Sequence, residues 1–185
     1  MARMVAVAVA SGLLGVGAAL PAQAQAQVQT QTREQAQSQV RAYYPDVDRI
    51  VCEINAEREA NHRPALRISD KASQVARAHA KDMAARGELT TVGSDGRELR
   101  DRLDDAGLYS GYISEYMLSG YHHDGRFADL ATDPSPDNGL YKALMSRDIV
   151  ALGIGYDHEY WDVDMLGPHR KLVTRAAVCA GPRAA

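Results

Sequence analysis

Val47, Ile50, Val51 and Ile54 recur at i, i+3, i+4 and i+7, which predicts one buried face of a helix from about Asp46 to Asn61, with Pro64 closing the segment. A second and clearer stripe follows. Ser69 and Asp70 are cap candidates, and Ala72, Val75, Ala76, His79, Ala80 and Met83 fall on one helical face until Gly87 ends it. His79 on that stripe reads as a core or interface imidazole with one satisfied nitrogen. After the loop TTVGSDG comes a shorter charged helix, RELRDRLDDAG, with Leu99, Leu103 and Ala106 as its apolar edge and Gly107 as its stop.

From there the period changes. Tyr112 to Leu118 alternates weakly and predicts a strand carrying Glu115; HHDGRFADLATDPSPDNG reads as loop with one helical turn, and GLYKALMS as a short helix. IVALGIGY, EYWDVDML and KLVTRAAVC are three β-like runs, the first two close enough for an antiparallel hairpin. In the second run Trp161, Val163 and Met165 share one face, while Asp162 and Asp164 share the other and read as a solvated acidic face. Helices first and an antiparallel sheet afterwards predict a layered α+β domain.

The chain before this domain divides in two. Arg3, the apolar run Met4 to Leu20, and the small residues Ala22 and Ala24 have the pattern of a secretory signal peptide over residues 1–24. The run is broken by glycine and lacks a basic flank after it, so a cleaved signal fits better than a membrane anchor, and no stable membrane insertion is expected after cleavage. Residues 25–45 are a polar tether rich in Gln and Ala, and residues 46–180 form the domain. Of 21 basic residues Arg3 leaves with the signal, so 20 face 24 acidic ones in an interspersed pattern that attracts neither nucleic acid nor anionic lipid. Export places the protein in a secreted or periplasmic compartment, where the two cysteines, Cys52 and Cys179, are expected to pair and tie the ends of the domain; two separate buried thiols are the alternative.

Several short segments, in order, resemble the CAP (SCP) domain superfamily of cysteine-rich secretory and pathogenesis-related proteins, in its bacterial secreted form: INAEREANHRPALRIS, ASQVARAHAKDMAARGEL, GSDGRELRDRLDDAG, ISEY where the family has Gly-Glu-Asn, and DIVALGIGY followed by YWDVDMLG. Together they cover nearly all of residues 47–167. The resemblance implies a three-layer α-β-α sandwich with a central antiparallel sheet and a cleft over one face, in which two histidines and one or two acidic residues can hold a divalent metal.

The residues that match those positions depart from the pattern. Thr91 stands where the first site histidine is expected and Leu140, between Gly139 and Tyr141, where the second is; Glu115 remains, with Tyr116 in place of the usual Asn. The resemblance therefore implies a degenerate cleft of Thr91, Glu115, Tyr116, Leu140 and Tyr141, with Glu115 the one candidate catalytic residue and neither metal nor cofactor expected. Such a domain is expected to act as an extracellular binding module for an apolar ligand or a protein partner. Two alternatives stay open: a divalent-metal-dependent hydrolase of peptides or esters, in which His122 or His123 returns to Glu115, and a passive envelope-associated structural protein. Adjacent histidines on an extended chain point to opposite sides, and the Asp-Gly after them has the character of a surface turn. Asp129, Asp133 and Asp137 lack the spacing of a calcium loop, and the chain contains neither a nucleophile-elbow serine nor a glycine-rich phosphate loop.

Overall fold

A computed structural model describes residues 43–180; the signal and most of the tether expected from the sequence lie outside the described residues. Helix α1, Val47–Ala60, starts where the Asp46 carboxylate accepts from the Arg49 N–H, and its Ile50, Val51 and Ile54 are fully buried. A two-residue strand, β1 (Arg67–Ile68), leads into α2, Asp70–Arg86, capped by the Ser69 hydroxyl on the Ala72 N–H and ended by Gly87 in the left-handed conformation. Then come α3 (Leu99–Asp105), β2 (Ile113–Leu118), α4 (Asp124–Thr132), α5 (Gly139–Leu144), β3 (Ala151–Asp157) and β4 (Tyr160–Leu166).

The strands order as β1-β3-β4-β2. The three longer ones are antiparallel, with Glu115 opposite Asp164 and Asp164 opposite Gly153. The added β1 runs parallel to β3, which makes the sheet mixed. Two sequence expectations give way here. The run KLVTRAAVC forms no strand; it makes one isolated bridge, Arg175 to Ile68, because its place beside β3 is already taken by β1. The segment after His123 is a nine-residue helix and not one turn, since Phe127, Ala128 and Ala131 give it a buried face.

One face of the sheet carries Leu152, Ile154, Trp161, Val163 and Met165 and packs under α1, α4 and α5 in the main core, where the Phe127 and Trp161 rings stack with centroids 4.2 Å apart. The other face meets α2 and α3. Two buried polar groups stitch the first layer. Asn55 clamps Leu66 through both its amide N–H and its carbonyl, and Arg58, buried with no carboxylate partner among the described residues, donates to the carbonyls of Pro64, Leu144 and Ser146. Burial accordingly holds the Arg58 guanidinium below its ordinary pKa.

The second layer depends on β3 lacking side chains. A Cβ on Gly153 would lie 2.3 Å from the Ala72 carbonyl carbon, and one on Gly155 would lie 2.1 Å from that of Ala76. Helix and strand therefore touch backbone to backbone, with small side chains at the contact: the Ala72 methyl, and the Ser73 hydroxyl that accepts from the Ile154 N–H. Replacing Gly155 with Ala should cost at least about 3 kcal/mol, the upper range for overpacking, while Gly111→Ala, which meets nothing within 4 Å, should stay within about 0.5 kcal/mol; urea unfolding of the two variants checks this.

The Cys52–Cys179 disulfide closes the domain across a separation of 127 residues, as expected from the sequence. In the chain-entropy model a loop of that length is worth up to about 5 kcal/mol. Reduction should lower the unfolding midpoint by a corresponding amount, and a Cys52→Ala, Cys179→Ala double variant should be insensitive to reductant.

Candidate functional site

The face of β4 that reads as solvated is as fully buried as the apolar face opposite it. Asp162 and Asp164 are both fully buried, because the glycines opposite them on β3 let α2 close over that face. Glu115 projects from β2 onto the same side, with its side chain 6% exposed. From above, α2 contributes His79, whose Nε2 lies 2.7 Å from the Thr90 carbonyl oxygen and 3.9 Å from the Glu115 carboxylate. From α3, Arg102 reaches in: one terminal nitrogen donates to Glu115, and the other to the carbonyls of Thr91, at 3.0 Å, and Arg97, at 2.9 Å.

Charge and burial oppose each other in this group. Desolvation raises the Glu115 pKa, against the lowering effect of Arg102. Asp162 is pushed well above the ordinary carboxylate range by burial and then by the neighbouring Asp164 and Glu115 charges, and Asp164 by burial and then by Glu115. The His79 imidazole is shifted the other way, down, by burial and by the nearby Arg102 charge. Among the described residues both carboxylate oxygens of Asp164 and the Nδ1 of His79 lack a hydrogen-bond partner, and Asp162 faces only the Glu115 carboxylate, with which it can share a proton. Among the described residues His79, Glu115 and Asp162 place one ligand atom each within 4.8 Å of one another.

The residues named from the sequence are distributed over several places. Thr91 lies exposed in the loop between α2 and α3, where its carbonyl serves Arg102. Leu140 is fully buried in the main core, on the other face of the sheet from Glu115. Tyr116 alternates to that same face and packs against Gly139, and the Tyr141 hydroxyl donates to Glu57. Period-two alternation along β2 thus separates Glu115 from Tyr116, Leu140 and Tyr141, and the structure does not bring the five residues into one cleft. His122 faces Glu159 at the β3–β4 hairpin, toward the opposite end of β4 from Asp164, and the His123 carbonyl starts α4. Neither imidazole joins Glu115.

The sequence pattern does not single out Arg102, and it gives Asp162 and Asp164 the surroundings of a solvated face. A signal for the aspartates existed in the pair Gly153 and Gly155, two apart and so on one strand face. Glycines in that register announce a helix pressed onto the sheet, which buries whatever the neighbouring strand presents there.

A mixed sheet between two helical layers, with a glutamate on the strand after the second and third helices, is the architecture of a CAP domain. The chain belongs to that family: the model of the cysteine-rich secretory protein family matches residues 51–163. No curated protein sequence matches the chain significantly. Among solved structures it is similar to an extracellular SCP-domain protein of Bacillus anthracis (18% identity, TM-score 0.57, covering 64% of this chain and 39% of that one). It is also similar to a cysteine-rich secretory protein of Staphylococcus aureus (12%, TM-score 0.52, covering 64% and 37%) and an outer surface protein of Borrelia burgdorferi (19%, TM-score 0.53, covering 65% and 90%). At these identities the likeness is one of fold, and the chain spans about two fifths of the length of the first two.

The raised pKa values of the buried aspartates set a pH test. A carboxyl whose folded pKa is raised above its unfolded value favours folding fully only below the unfolded value, about 4, and that contribution is lost as pH rises toward the folded pKa. In chelator-treated buffer wild-type stability should therefore fall between pH 4.5 and 8. Asp164→Asn, neutral throughout, should flatten that fall and be the more stable protein at pH 8, by about 1.4 kcal/mol for each tenfold of excess proton affinity that the substitution removes; urea unfolding at the two pH values measures it.

Proposed function

We propose that this CAP domain is exported and works by binding, not by hydrolysis. The observation that carries the reading is the condition of Glu115. A general base must come within about 3 Å of the proton that it removes, directly or through one water. Here the carboxylate is committed to Arg102 and sealed beneath α2 and α3, and the nearest imidazole, His79, has a side chain only 1% exposed. Arg102 stands between Glu115 and the cavity that His79 and Arg102 line, so a substrate atom must displace Arg102 to reach the carboxylate. The two positions that the family resemblance assigns to histidine, Thr91 and Leu140, contribute no imidazole. Export is supported by the leader-like start of the chain and by the disulfide.

The surface offers a better place for a ligand elsewhere. A concavity of about 450 Å³, lined by Gly107, Leu108, Val173 and Thr174, has Lys71, Lys171 and Arg175 in its wall. Val173 stands 82% exposed beside it, and Arg175 is already held by Asp48 and Asp70, which leaves the two lysines to meet a ligand. An apolar body with an anionic end suits that combination.

Two experiments test the reading on the oxidised mature protein. Against peptide and ester substrates, wild type and Glu115→Gln should show the same background rate; turnover that disappears in Glu115→Gln would contradict a binding role. Laurate, as a probe, should perturb the amide resonances of Leu108 and Val173 and bind about tenfold more weakly to Lys171→Glu, the loss expected for about 1.4 kcal/mol.

A further inference from the structure

We propose that the chamber under α2 is a divalent-cation site, with His79, Glu115 and Asp162 as ligands and Asp164 behind them. The first support is geometric: one donor atom from each of the three ligands lies within 4.8 Å of the others. The second is the set of orphaned atoms. Asp162 and Asp164 are completely buried; among the described residues the Asp164 oxygens have no hydrogen-bond partner, and those of Asp162 face only the Glu115 carboxylate, with which Asp162 can share a proton. Buried polar atoms are overwhelmingly partnered, and an ion or ordered water is what usually completes a group like this one.

Charge gives the third support. Three carboxylates meet one guanidinium in the chamber, so when all are ionised two negative charges remain, which one divalent cation neutralises. Two residues of the chamber's wall, His79 and Arg102, also face an outer cavity, from which an ion would pass beside Arg102. That cavity, of about 160 Å³, is lined by His79 and Arg102 on the inner side and by Asp82 and Asp95 toward solvent. Asp82 is held below the ordinary carboxylate range by the Ser94 hydroxyl and backbone and by Arg86, so a negative charge stands at the entrance.

The donor set selects the ion. One imidazole and two carboxylates suit zinc or manganese; calcium takes six to eight oxygens, more than the chamber presents. This is not the donor set that the family resemblance implies, since Thr91 and Leu140 take no part, and two of the ligands come from α2 and β4. An ion at this depth, beneath Arg102, holds helix and sheet together and does not act on a substrate. The inference is independent of the binding role proposed above, because it is read from stoichiometry and stability and not from turnover.

The experiment uses the oxidised mature protein after treatment with EDTA and desalting, at pH 7. Zinc and manganese are titrated separately by calorimetry, and thermal melts are recorded with and without each ion for wild type, Asp162→Asn and His79→Gln. The expected result is one ion per chain with micromolar or tighter affinity, a higher melting temperature with the ion, and binding at least tenfold weaker in both variants. In EDTA Asp162→Asn should melt no lower than wild type, which shows that it folds; His79→Gln, which keeps both carboxylates, supplies the second reading if it does not. Absence of binding by both ions would overturn the proposal and leave protons shared among the carboxylates as what neutralises them. Binding of unchanged affinity in Asp162→Asn and His79→Gln would also overturn it, by placing the ion elsewhere.

Discussion

Everything on the site side of this domain follows from how closely α2 lies on β3. With Gly153 and Gly155 under Ala72 and Ala76, the helix backbone rests on the strand backbone, and at that separation no water layer or side-chain layer fits between them. Whatever β4 and β2 present on the same face is then buried whether it is apolar or not. Asp162, Asp164 and Glu115 are in this sense captured by the packing of their neighbours, and Arg102 and His79 answer them from the covering helices.

Burial of that kind is costly unless the charges are compensated. Arg102 compensates Glu115 and, by donating also to the carbonyls of Thr91 and Arg97, holds the loop between α2 and α3 down over the chamber. Local electrostatics and loop structure are therefore one problem: loss of Arg102 would uncover the same carboxylates that it neutralises. On the opposite side of the sheet the chemistry is ordinary. An apolar core of Ile, Leu, Phe and Trp side chains is closed by α1, α4 and α5, with Arg58 and Asn55 satisfying backbone groups that would otherwise be orphaned.

Much of the fold was legible because helical periods are long and locally determined. The stripe Ile50, Val51, Ile54 and the stripe Ala72 to Met83 appear in the structure as the buried faces of α1 and α2. The hairpin of β3 and β4 and the disulfide were equally visible. The short β1 was not, because two residues carry no period, and its pairing with β3 is what excludes the C-terminal run from the sheet. The site was less legible for a different reason. Alternation says which residues share a face of a strand, but not whether that face is covered. Alternation puts Asp162 and Asp164 on one face of β4, where the structure has them, while the sign that this face is covered lies on the next strand, in the Gly153–Gly155 pair.

The central claim is that these aspartates are sealed in a low-dielectric chamber as parts of the structure. The most direct measurement is an NMR titration that follows the side-chain carboxyl carbons of Asp162, Asp164 and Glu115 in chelator-treated protein from pH 3 to 9. Asp162 and Asp164 should take up protons well above the usual carboxylate range, while Asp133, which is exposed and bonded to Ser135, should titrate below it. Ordinary titration of both buried aspartates near pH 4 would show that water reaches them, and would contradict the claim.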